Sequence, residues 1–373
     1  MSVLLVRPAF TAHARQSKAA FTKSLERTDV ADSRFYGFAG NFFKGLYDLL
    51  NHQARIGNRM KKLFSSLFVV VCLAGDTGTC AITATTSAAP IIASQLTNIS
   101  TRAFVQTGDN VIIGGFIVQG TAAKKLIVRA IGPELIPYGV PNVLADPTLE
   151  LHDATGALIA SNDNWQTTII GGIITADQVA EIQNSGHAPT VATESAIVAT
   201  LPPGNYTAVV RGVNNTVGVA LVEAYDLSPS IPSPSILGNI STRGFVQTGD
   251  EVMIGGFIIQ GTGPKRVIVR AIGPELIPYG IPDPLPDPTL ELHDATGALI
   301  ASNDDWQHTI IGGIITADQV AEIQNSGHAP TVATESAIIG NLPPGNYTAI
   351  VRGKNIIVGV ALVEVYDIGM GAF

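Results

Sequence analysis

The stretch ELHDATGALIASNDNW, Glu150 to Trp165, returns as ELHDATGALIASNDDW from Glu291 to Trp306. Each version alternates polar and apolar residues, reaches an Asp-Ala-Thr-Gly segment, and continues with a second short apolar run. Alternation with a period of two is typical of a half-buried strand, and Asp followed closely by Gly is typical of a tight turn. The stretch therefore predicts a β-hairpin that occurs twice in the chain.

The duplication extends far beyond this hairpin. Residues 96-227 align without a gap to residues 237-368 at a constant offset of 141, and the two copies differ at 24 of 132 positions. A period of this length is a whole domain rather than one unit of a solenoid. The Pro/Ser segment 228-236 between the copies cannot hold a helix. We therefore expect two domains that can each fold alone, joined by a short, semi-extended linker.

Within one copy, eight short segments carry strand signals and are separated by Gly- and Pro-rich turns. The sequence predicts an all-β fold: two tandem antiparallel β-sandwich domains of jelly-roll type. The predicted strands of the first copy are 102-106, 111-118, 125-131, 148-152, 158-161, 196-200, 206-211 and 218-225. One short helix, capped by Thr175 and ended by Gly186, is predicted in the long connection that follows Trp165.

The charge is distributed unevenly along the chain of 373 residues. Residues 1-81 hold 11 Lys/Arg and 5 Asp/Glu, whereas residues 82-373 hold 11 Lys/Arg and 25 Asp/Glu, so the two parts carry +6 and −14. An acidic body argues against nucleic acid and anionic membrane surfaces as partners. Both cysteines, Cys72 and Cys80, lie in the basic leader, so the body can form no disulfide and no cysteine-based zinc site.

The leader contains the pattern of a secretory signal. Two lysines follow Met60, an apolar run covers residues 63-74, and Thr79-Cys80-Ala81 offers a cleavage site. The run is shorter than the roughly 20 residues that a membrane-spanning helix needs, so no stable span is expected. We predict either that translation begins at Met60 or that residues 1-59 form a disordered extension, followed by a signal peptide at 60-81, a linker at 82-95 and a tail at 369-373. The mature protein is then secreted to the cell surface, the extracellular space or the periplasm.

The end of the opening stretch carries the candidate metal ligands. Asp163, with Asp146 brought near it, offers the hard oxygen donors that Ca²⁺ prefers, and the second copy supplies Asp304 and Asp287. The twelve-residue spacing of an EF-hand is absent, and Asn/Asp clusters at strand ends are commonly turns. Calcium is the one cofactor that the sequence suggests.

Trp165 and Trp306 are the only tryptophans of the chain. Together with Asn164 and Asp305 beside them, they are the candidate ligand-binding residues, because sugar-binding faces commonly present aromatic planes. A single Trp in a sandwich more often closes one end of the core. The apolar run 169-174, IIGGII, is either a buried strand with a bulge at Gly171 and Gly172 or a contact patch between the two copies or with another chain.

No pattern in the chain supports catalysis. Ser185, His187 and Asp177 lie near one another, but Ser185 is placed at a helix end and lacks the surroundings of a nucleophile elbow. Zinc-protease, phosphate-loop and dinucleotide fingerprints are also missing. His152 and Asp153 are expected to serve the surface and the turn, and Arg129 is expected to stack over the sheet surface or to pair with Glu134 or Glu223. We therefore predict a protein that is not an enzyme.

The runs DPTLELHDATGALIASNDNW, LPPGNYTAVVRG and GVALVEAYDL resemble the bacterial pre-peptidase C-terminal domain, an exported β-sandwich with similar hairpins. With NISTRAFVQTGDNVIIGGFIV and VRAIGPEL included, each whole copy is similar to a repeat of large secreted or surface proteins of Verrucomicrobia-like bacteria. The resemblance covers both copies and implies the fold and export. No protease or other catalytic domain accompanies the repeats in this chain.

Two classes of function follow from these observations. The first is a non-catalytic protein for surface attachment or for binding extracellular matrix, polysaccharide or protein, in which two linked copies gain avidity. The second is an accessory or targeting module of a secreted hydrolase, either a protease or a glycosidase. The two classes differ in partner: an extracellular glycan or protein surface for the first, and a separate catalytic chain for the second.

Overall fold

A computed structural model describes residues 94–227 and 234–369, and the prediction of an all-β fold is confirmed. In the first copy the strands are β1 (Gln95–Val105), β2 (Ile112–Gly120), β3 (Lys124–Ile131), β4 (Pro147–His152), β5 (Leu158–Asn162), β6 (Ser195–Leu201), β7 (Gly204–Gly212) and β8 (Gly218–Asp226). In the second they are β9 (Ser235–Val246), β10 (Met253–Gln260), β11 (Lys265–Ile272), β12 (Pro288–His293), β13 (Leu299–Asn303), β14 (Ser336–Leu342), β15 (Gly345–Gly353) and β16 (Gly359–Asp367). Each copy adds one short helix, α1 (Val179–Asn184) or α2 (Val320–Asn325).

Each copy has the strand order of a jelly roll. In the first copy, β1-β8-β3-β6 form one antiparallel sheet and β2-β7-β4-β5 form the other, and the second copy repeats this order. Alternate residues of each strand point inward, as in β4, where Leu149 and Leu151 are fully buried and Glu150 between them is partly exposed. The period-two pattern of the hairpin is therefore what turns its apolar face toward the core.

The two copies are joined by strand pairing. Strand β1 pairs with β10 as well as with its own neighbour β8, and β9 pairs with β2 as well as with β16. Each sheet of one copy therefore continues into a sheet of the other, giving two eight-stranded layers. Their orders are β6-β3-β8-β1-β10-β15-β12-β13 and β14-β11-β16-β9-β2-β7-β4-β5.

The hydrophobic core runs through both copies. Ile99 and Val105 of β1 belong to the same buried cluster as Ile240 and Val246 of β9. The expected picture of two separate sandwiches on a short tether is thus not confirmed, because strands and core are shared. The separate expectation that each copy can fold alone stays a prediction.

The copies are related by an approximate twofold axis between β1 and β9. The Thr101 hydroxyl donates to the Thr242 hydroxyl at 2.9 Å, and Phe104 lies opposite Phe245. Both contacts join residues that are 141 positions apart, so each residue meets its own counterpart. The β1–β10 and β2–β9 pairings obey the same symmetry, since Arg102 opposes Ile254 and Arg243 opposes Ile113.

Connecting segments form a third layer over β8, β3 and β6. Trp165 and Ile182 of the long β5–β6 connection pack on Ile127 and Val198, while Leu135, in the 3-10 helix Pro133–Tyr138, packs against Leu221. This cover turns the outer side of the sheet into buried surface. Polar side chains placed there are consequently buried as well.

Several sequence-based boundaries differ from the structure. The helix spans Val179–Asn184 rather than beginning after Thr175, because Asp177 Oδ1 accepts from the Thr168 hydroxyl and the Val179 N–H at 2.6 and 3.3 Å. Strand β1 begins at Gln95, well before the predicted start at residue 102, and β9 includes the end of the predicted linker. The extension at 1-59, the signal peptide at 60-81, most of the linkers at 82-95 and 228-236, and the tail after Gly369 lie outside the described residues.

Candidate functional site

The predicted calcium ligands of the second copy do lie together. One carboxylate oxygen each from Asp287, Asp304 and Asp305 lies within 4.8 Å of the others. The Lys354 ammonium lies 2.7 Å from Asp304 Oδ2 and 3.5 Å from Asp287 Oδ2. A lysine side chain therefore already supplies positive charge to these carboxylates.

The first copy has the same acidic pair without the lysine. Val213 occupies the position that corresponds to Lys354. The Val213 N–H donates to the Asp146 carbonyl at 3.0 Å, and the Lys354 N–H donates to the Asp287 carbonyl at 2.9 Å. Burial, and then the neighbouring Asp163 carboxylate, raise the pKa of Asp146. Asp146 Oδ1 and Asp163 Oδ1 are buried without a hydrogen-bond partner among the described residues, although the same is true of Oδ1 in Asp287 and Asp304. The donor set suits a hard cation.

The turn that carries these aspartates is held by two buried polar residues. Asn162 accepts from the Ala196 N–H at 3.1 Å and donates to the Thr167 carbonyl at 3.0 Å. The Ser195 hydroxyl lies 2.8 to 3.0 Å from the carbonyl oxygens of Pro147, Asn162 and Asp163. The turn is consequently fixed to β6 and to the start of β4, and the carboxylates are positioned by a rigid frame.

The tryptophans are core residues. Trp165 and Trp306 are each only 5% exposed, and their indole N–H groups donate to the carbonyls of Val191 and Val332 at 3.1 and 3.0 Å. No ring face is left on which a sugar could stack. Asn164 and Asp305 lie in the turn just before them, where their carbonyls accept from the backbone N–H of residues 167 and 308. The structure thus places both tryptophans in the layer that covers the outer side of a sheet, where Trp165 packs on Ile127 and Val198 and Trp306 packs on the corresponding residues of the second copy.

His152 and Asp153 serve the hairpin, as the sequence predicts. Asp153 Oδ1 accepts from the Thr155 N–H, the Thr155 hydroxyl and the Ala157 N–H at 2.9, 2.7 and 3.2 Å, and these bonds lower the pKa of the Asp153 carboxyl. His152 Nε2 lies 3.2 Å from Glu150, its neighbour on the same face of the strand. Both side chains are accounted for by the turn and the strand.

Arg129 belongs to a buried polar network under the third layer. Its guanidinium pairs with the Glu223 carboxylate and also donates to the His187 carbonyl at 2.8 Å. The Tyr225 hydroxyl donates to Glu223 at 2.7 Å, and the His187 ring stacks on Tyr225 with centroids 4.3 Å apart. Burial, followed by the Arg129 charge, lowers the pKa of His187 to about 4. Of the two partners expected for Arg129, the structure selects Glu223.

Ser185 and His187 do not form a nucleophile–base pair. The Ser185 hydroxyl donates to the Ile182 carbonyl at 2.6 Å and accepts from the His187 backbone N–H at 3.0 Å, which closes the end of α1. The imidazole meanwhile stacks on Tyr225, and Asp177 bonds to Thr168 at the other end of the helix. The three side chains therefore serve local structure.

The sequence analysis missed a buried carboxyl group in each copy. Glu194 is fully buried, and its Oε1 accepts from the backbone N–H groups of Gly132 and Glu134 at 3.0 and 2.8 Å. Burial, with the neighbouring Glu134 carboxyl group adding to the effect, raises the pKa of Glu194 to about 7. Glu335 repeats this arrangement with a pKa of about 7. The only signal in the sequence is a Glu two residues before the predicted strand 196-200.

Most of the isoleucine run 169-174 is exposed and does not form a buried strand, whereas Ile174 at its end is 4% exposed and belongs to the core. Gly171 and Ile174 close a tight turn through two backbone hydrogen bonds of 2.9 Å, and the Ile173 N–H donates to the Ile159 carbonyl on the open edge of β5. Ile170 is 59% exposed, and Leu158, Ile169 and Ile173 are exposed beside it. We call this group the first apolar end. Its counterpart, the second apolar end, consists of Leu299, Ile310, Ile311 and Ile314.

The two apolar ends lie at opposite extremes of the molecule. Strand β5 ends one eight-stranded layer in the first copy, and β13 ends the other layer in the second copy. The two strands are therefore the two ends of the path β13-β12-β15-β10-β1-β9-β2-β7-β4-β5, which runs through both copies. The two copies contact each other at the middle of this path, through β1, β2, β9 and β10, and not through residues 169-174. Both ends thus remain open to solvent, and the symmetry repeats them, as it also repeats the exposed pairs Ile136 and Ile277 and Val217 and Val358.

Comparison with known proteins gives little further information. No family model matches the chain, and no curated protein matches it. A solved structure of a DUF4785 family protein from Legionella pneumophila shares 10% sequence identity, with 80% of this chain and 70% of that chain covered, at a TM-score of 0.22. That likeness is too weak to support an argument, so the resemblance to the pre-peptidase C-terminal domain stays a prediction. Within residues 94–227 and 234–369, no helix is long and apolar enough to span a membrane.

Proposed function

We propose that this chain is an exported, non-catalytic protein that attaches to extracellular surfaces. The observation that carries the proposal is the pair of equivalent apolar ends on opposite extremes of one continuous sandwich. Exposed apolar groups of this kind commonly mark binding surfaces. Two such surfaces on one scaffold can engage a polymeric or repeating partner at both ends, and linked weak sites can gain a factor of about 10² to 10⁴ in apparent affinity.

The chemistry of the ends favours a protein surface over a sugar. Sugar recognition usually relies on exposed aromatic planes, and the tryptophans of this chain are buried with their N–H groups bonded. Branched aliphatic side chains pack instead against apolar side chains of another protein. An extracellular matrix or cell-surface protein is therefore the partner proposed, and polysaccharide is the competing outcome of the test.

The proposal can be tested with arrays of extracellular proteins and glycans probed with the mature tandem protein. Wild-type protein should be retained on protein spots, and Ile170→Asp combined with Ile311→Asp should abolish retention because it places charge in both apolar ends. Either single variant should keep one end and lose mainly the avidity. The control is Thr200→Asp with Asn341→Asp, which adds the same charge at exposed strand positions outside the apolar ends.

Three results would count against the proposal. Retention on glycans alone would replace the protein partner with a polysaccharide. Selective retention on a secreted protease or glycosidase would favour the accessory-module function. Absence of binding to every spot would leave a purely structural role.

A further inference from the structure

The edge at which the two copies meet also carries information about partner choice. It consists of β1 and β2 from the first copy and β9 and β10 from the second, and it is symmetric in its backbone pairing. Because the approximate twofold axis passes through it, the backbone pairing alone does not distinguish a pair of like copies from a pair of unlike copies. The differences between the copies at this edge therefore decide which pairs are compatible.

Position 103 and its counterpart 244 face each other across the axis. A Cβ atom placed on Gly244 would lie 2.7 Å from the Cβ of Ala103 and 3.2 Å from Met253 Cε. Real Cβ atoms do not approach each other this closely, so the interface has room for one methyl group at this point and not for two. A pair of first copies would place two alanines here, and it would have to move its strands apart.

Charge at the rim acts against the other like pair. Asn142 Nδ2 donates to Glu251 Oε1 at 2.6 Å, from the first copy to the second. The counterparts of these residues are Asp283 and Asn110. A pair of second copies would bring Asp283 against Glu251 at both symmetric positions, and like charges in direct opposition disfavour association.

We infer that the edge formed by β1 and β2 is a self-recognition surface whose partner is the unlike copy of this repeat. Ala103 disfavours pairs of first copies, while Asp283 and Glu251 disfavour pairs of second copies. The occupant in this protein is the second copy of the same chain. Because like copies are excluded, neighbouring chains are prevented from joining through two first copies or two second copies, which would link many chains together.

The steric part can be tested by a double-mutant cycle in the full chain. Gly244→Ala should lower Tm by roughly 3 to 8 °C, because it adds a second methyl group at a filled position. Ala103→Gly with Gly244→Ala exchanges the two residues and should recover most of that loss. If the effects of the two substitutions simply add, the steric selection is refuted.

The charge part has a parallel cycle. Asn142→Asp should lower Tm, more strongly at low salt than at high salt, because the introduced carboxylate would face Glu251. Adding Glu251→Asn should reverse the loss, since the contact is then restored with its partners exchanged. A loss that is independent of salt, or that the second substitution does not reverse, argues against the charge selection.

A third measurement asks about partner choice directly. Ala103→Gly, Glu251→Asn and Asp283→Asn together remove the elements that exclude like pairs while keeping the strand pairing. After unfolding and refolding of concentrated protein, this variant should yield several-fold more dimers and larger species than wild type, measured by size exclusion with light scattering. An unchanged distribution in a variant that refolds to the same strand content overturns the inference. The test does not depend on the proposed function, because no external partner takes part in it.

Discussion

At the scale of single residues, the polar side chains fall into two groups: those whose hydrogen bonds hold a turn, and those whose pKa is shifted by burial. The Asn/Asp-rich end of the opening hairpin mainly holds its turn in place, because the buried Asn162 side chain donates to the Thr167 carbonyl and accepts from the Ala196 N–H. Glu194 lies just before β6, and burial raises its pKa to about 7. Sequence patterns predicted the turn role of Asp153 because it depends on local spacing. They could not predict Glu194, because its burial depends on a segment 60 residues away in the chain.

The Glu194 and Glu335 carboxyl groups should make the protein less stable as the pH rises. Their pKa is about 7 in the folded protein against an ordinary 4.5, so folding retains protons that the unfolded chain releases. Below about pH 4.5 this stabilising contribution is fully present, and it is lost as the pH rises through about 7. Each pKa unit corresponds to about 1.4 kcal/mol. Glu194→Gln with Glu335→Gln should flatten the change in unfolding free energy between about pH 5 and pH 8.

The control for this pH dependence is a variant that loses the carboxyl group and its hydrogen bonds altogether. Glu194→Ala removes the acceptor for Gly132 and Glu134 and should destabilise the protein at every pH. If the Gln variants show the same dependence on pH as wild type in urea titrations, the two carboxyl groups are not its source.

The acidic pair of the first copy tests the calcium prediction. If Asp146 and Asp163 bind Ca²⁺, the ion should raise Tm, and Val213→Lys should remove this response by supplying the ammonium that Lys354 provides in the second copy. The Lys variant should also be more stable than wild type in chelator, because it compensates the paired carboxylates. Thermal unfolding with EDTA and with added Ca²⁺ measures both effects. A wild-type Tm that calcium leaves unchanged would remove the site from consideration.

At the scale of elements, the strands were easier to predict than the segments that cover them. The hairpins and apolar runs of the first copy gave most strands to within a few residues because the alternation of buried and exposed positions is local. The first half of β1 was missed because its sequence, QLTNIST, is rich in polar residues. Those residues are buried only because the strand lies between β8 and β10. The covering helix began later than expected because Thr168, ten residues before Gln178, helps to fix its start.

The open edge of β6 is protected by a side chain. Gln178 Oε1 accepts from the Val198 N–H at 3.1 Å, and its Nε2 donates to the Val198 carbonyl at 2.5 Å, so the amide replaces one residue of a neighbouring strand. Gln178→Ala should cost about 1 to 3 kcal/mol through two lost hydrogen bonds, and it should increase aggregation by uncovering the edge. Unfolding curves and light scattering during heating measure these effects.

Gln183→Ala is the matched control for this variant. Gln183 lies on the same helix with its side chain exposed, so its loss should leave both stability and scattering unchanged. Equal behaviour of the two variants would show that the Gln178 amide does not protect β6.

At the scale of the whole molecule, the sequence revealed the duplication but not how the copies combine. The Pro/Ser segment suggested a tether, and nothing in a single copy shows that β1 and β2 need partners. The information lies in the differences between the copies, such as Ala103 against Gly244, and it becomes interpretable only once the axis places those positions in contact. For the same reason, the isoleucine run could be assigned to an exposed end only after the strand order was known.

A chain cut between the copies should stay in one piece. Fourteen strand-to-strand residue pairs hold the copies together through β1–β10 and β2–β9, in addition to a shared core. We expect a protein carrying a protease site within residues 228-233 to elute from a sizing column at the same volume before and after cleavage, and to separate only in denaturant. Elution of separate halves at micromolar concentration would show that the linker, rather than the shared sheets, holds the copies together.

The twofold arrangement also bears on how the gene can change. Two coding segments for copies that share 108 of 132 residues invite unequal crossing-over, which removes or adds one whole copy at a time. A chain left with one copy would expose the hydrogen-bonding groups of β1 and β2, and such edges promote aggregation. A chain with three would carry one unpaired copy with the same liability. Recombination that preserves a soluble product should therefore gain or lose these repeats in twos, and related chains are expected to carry even numbers of them.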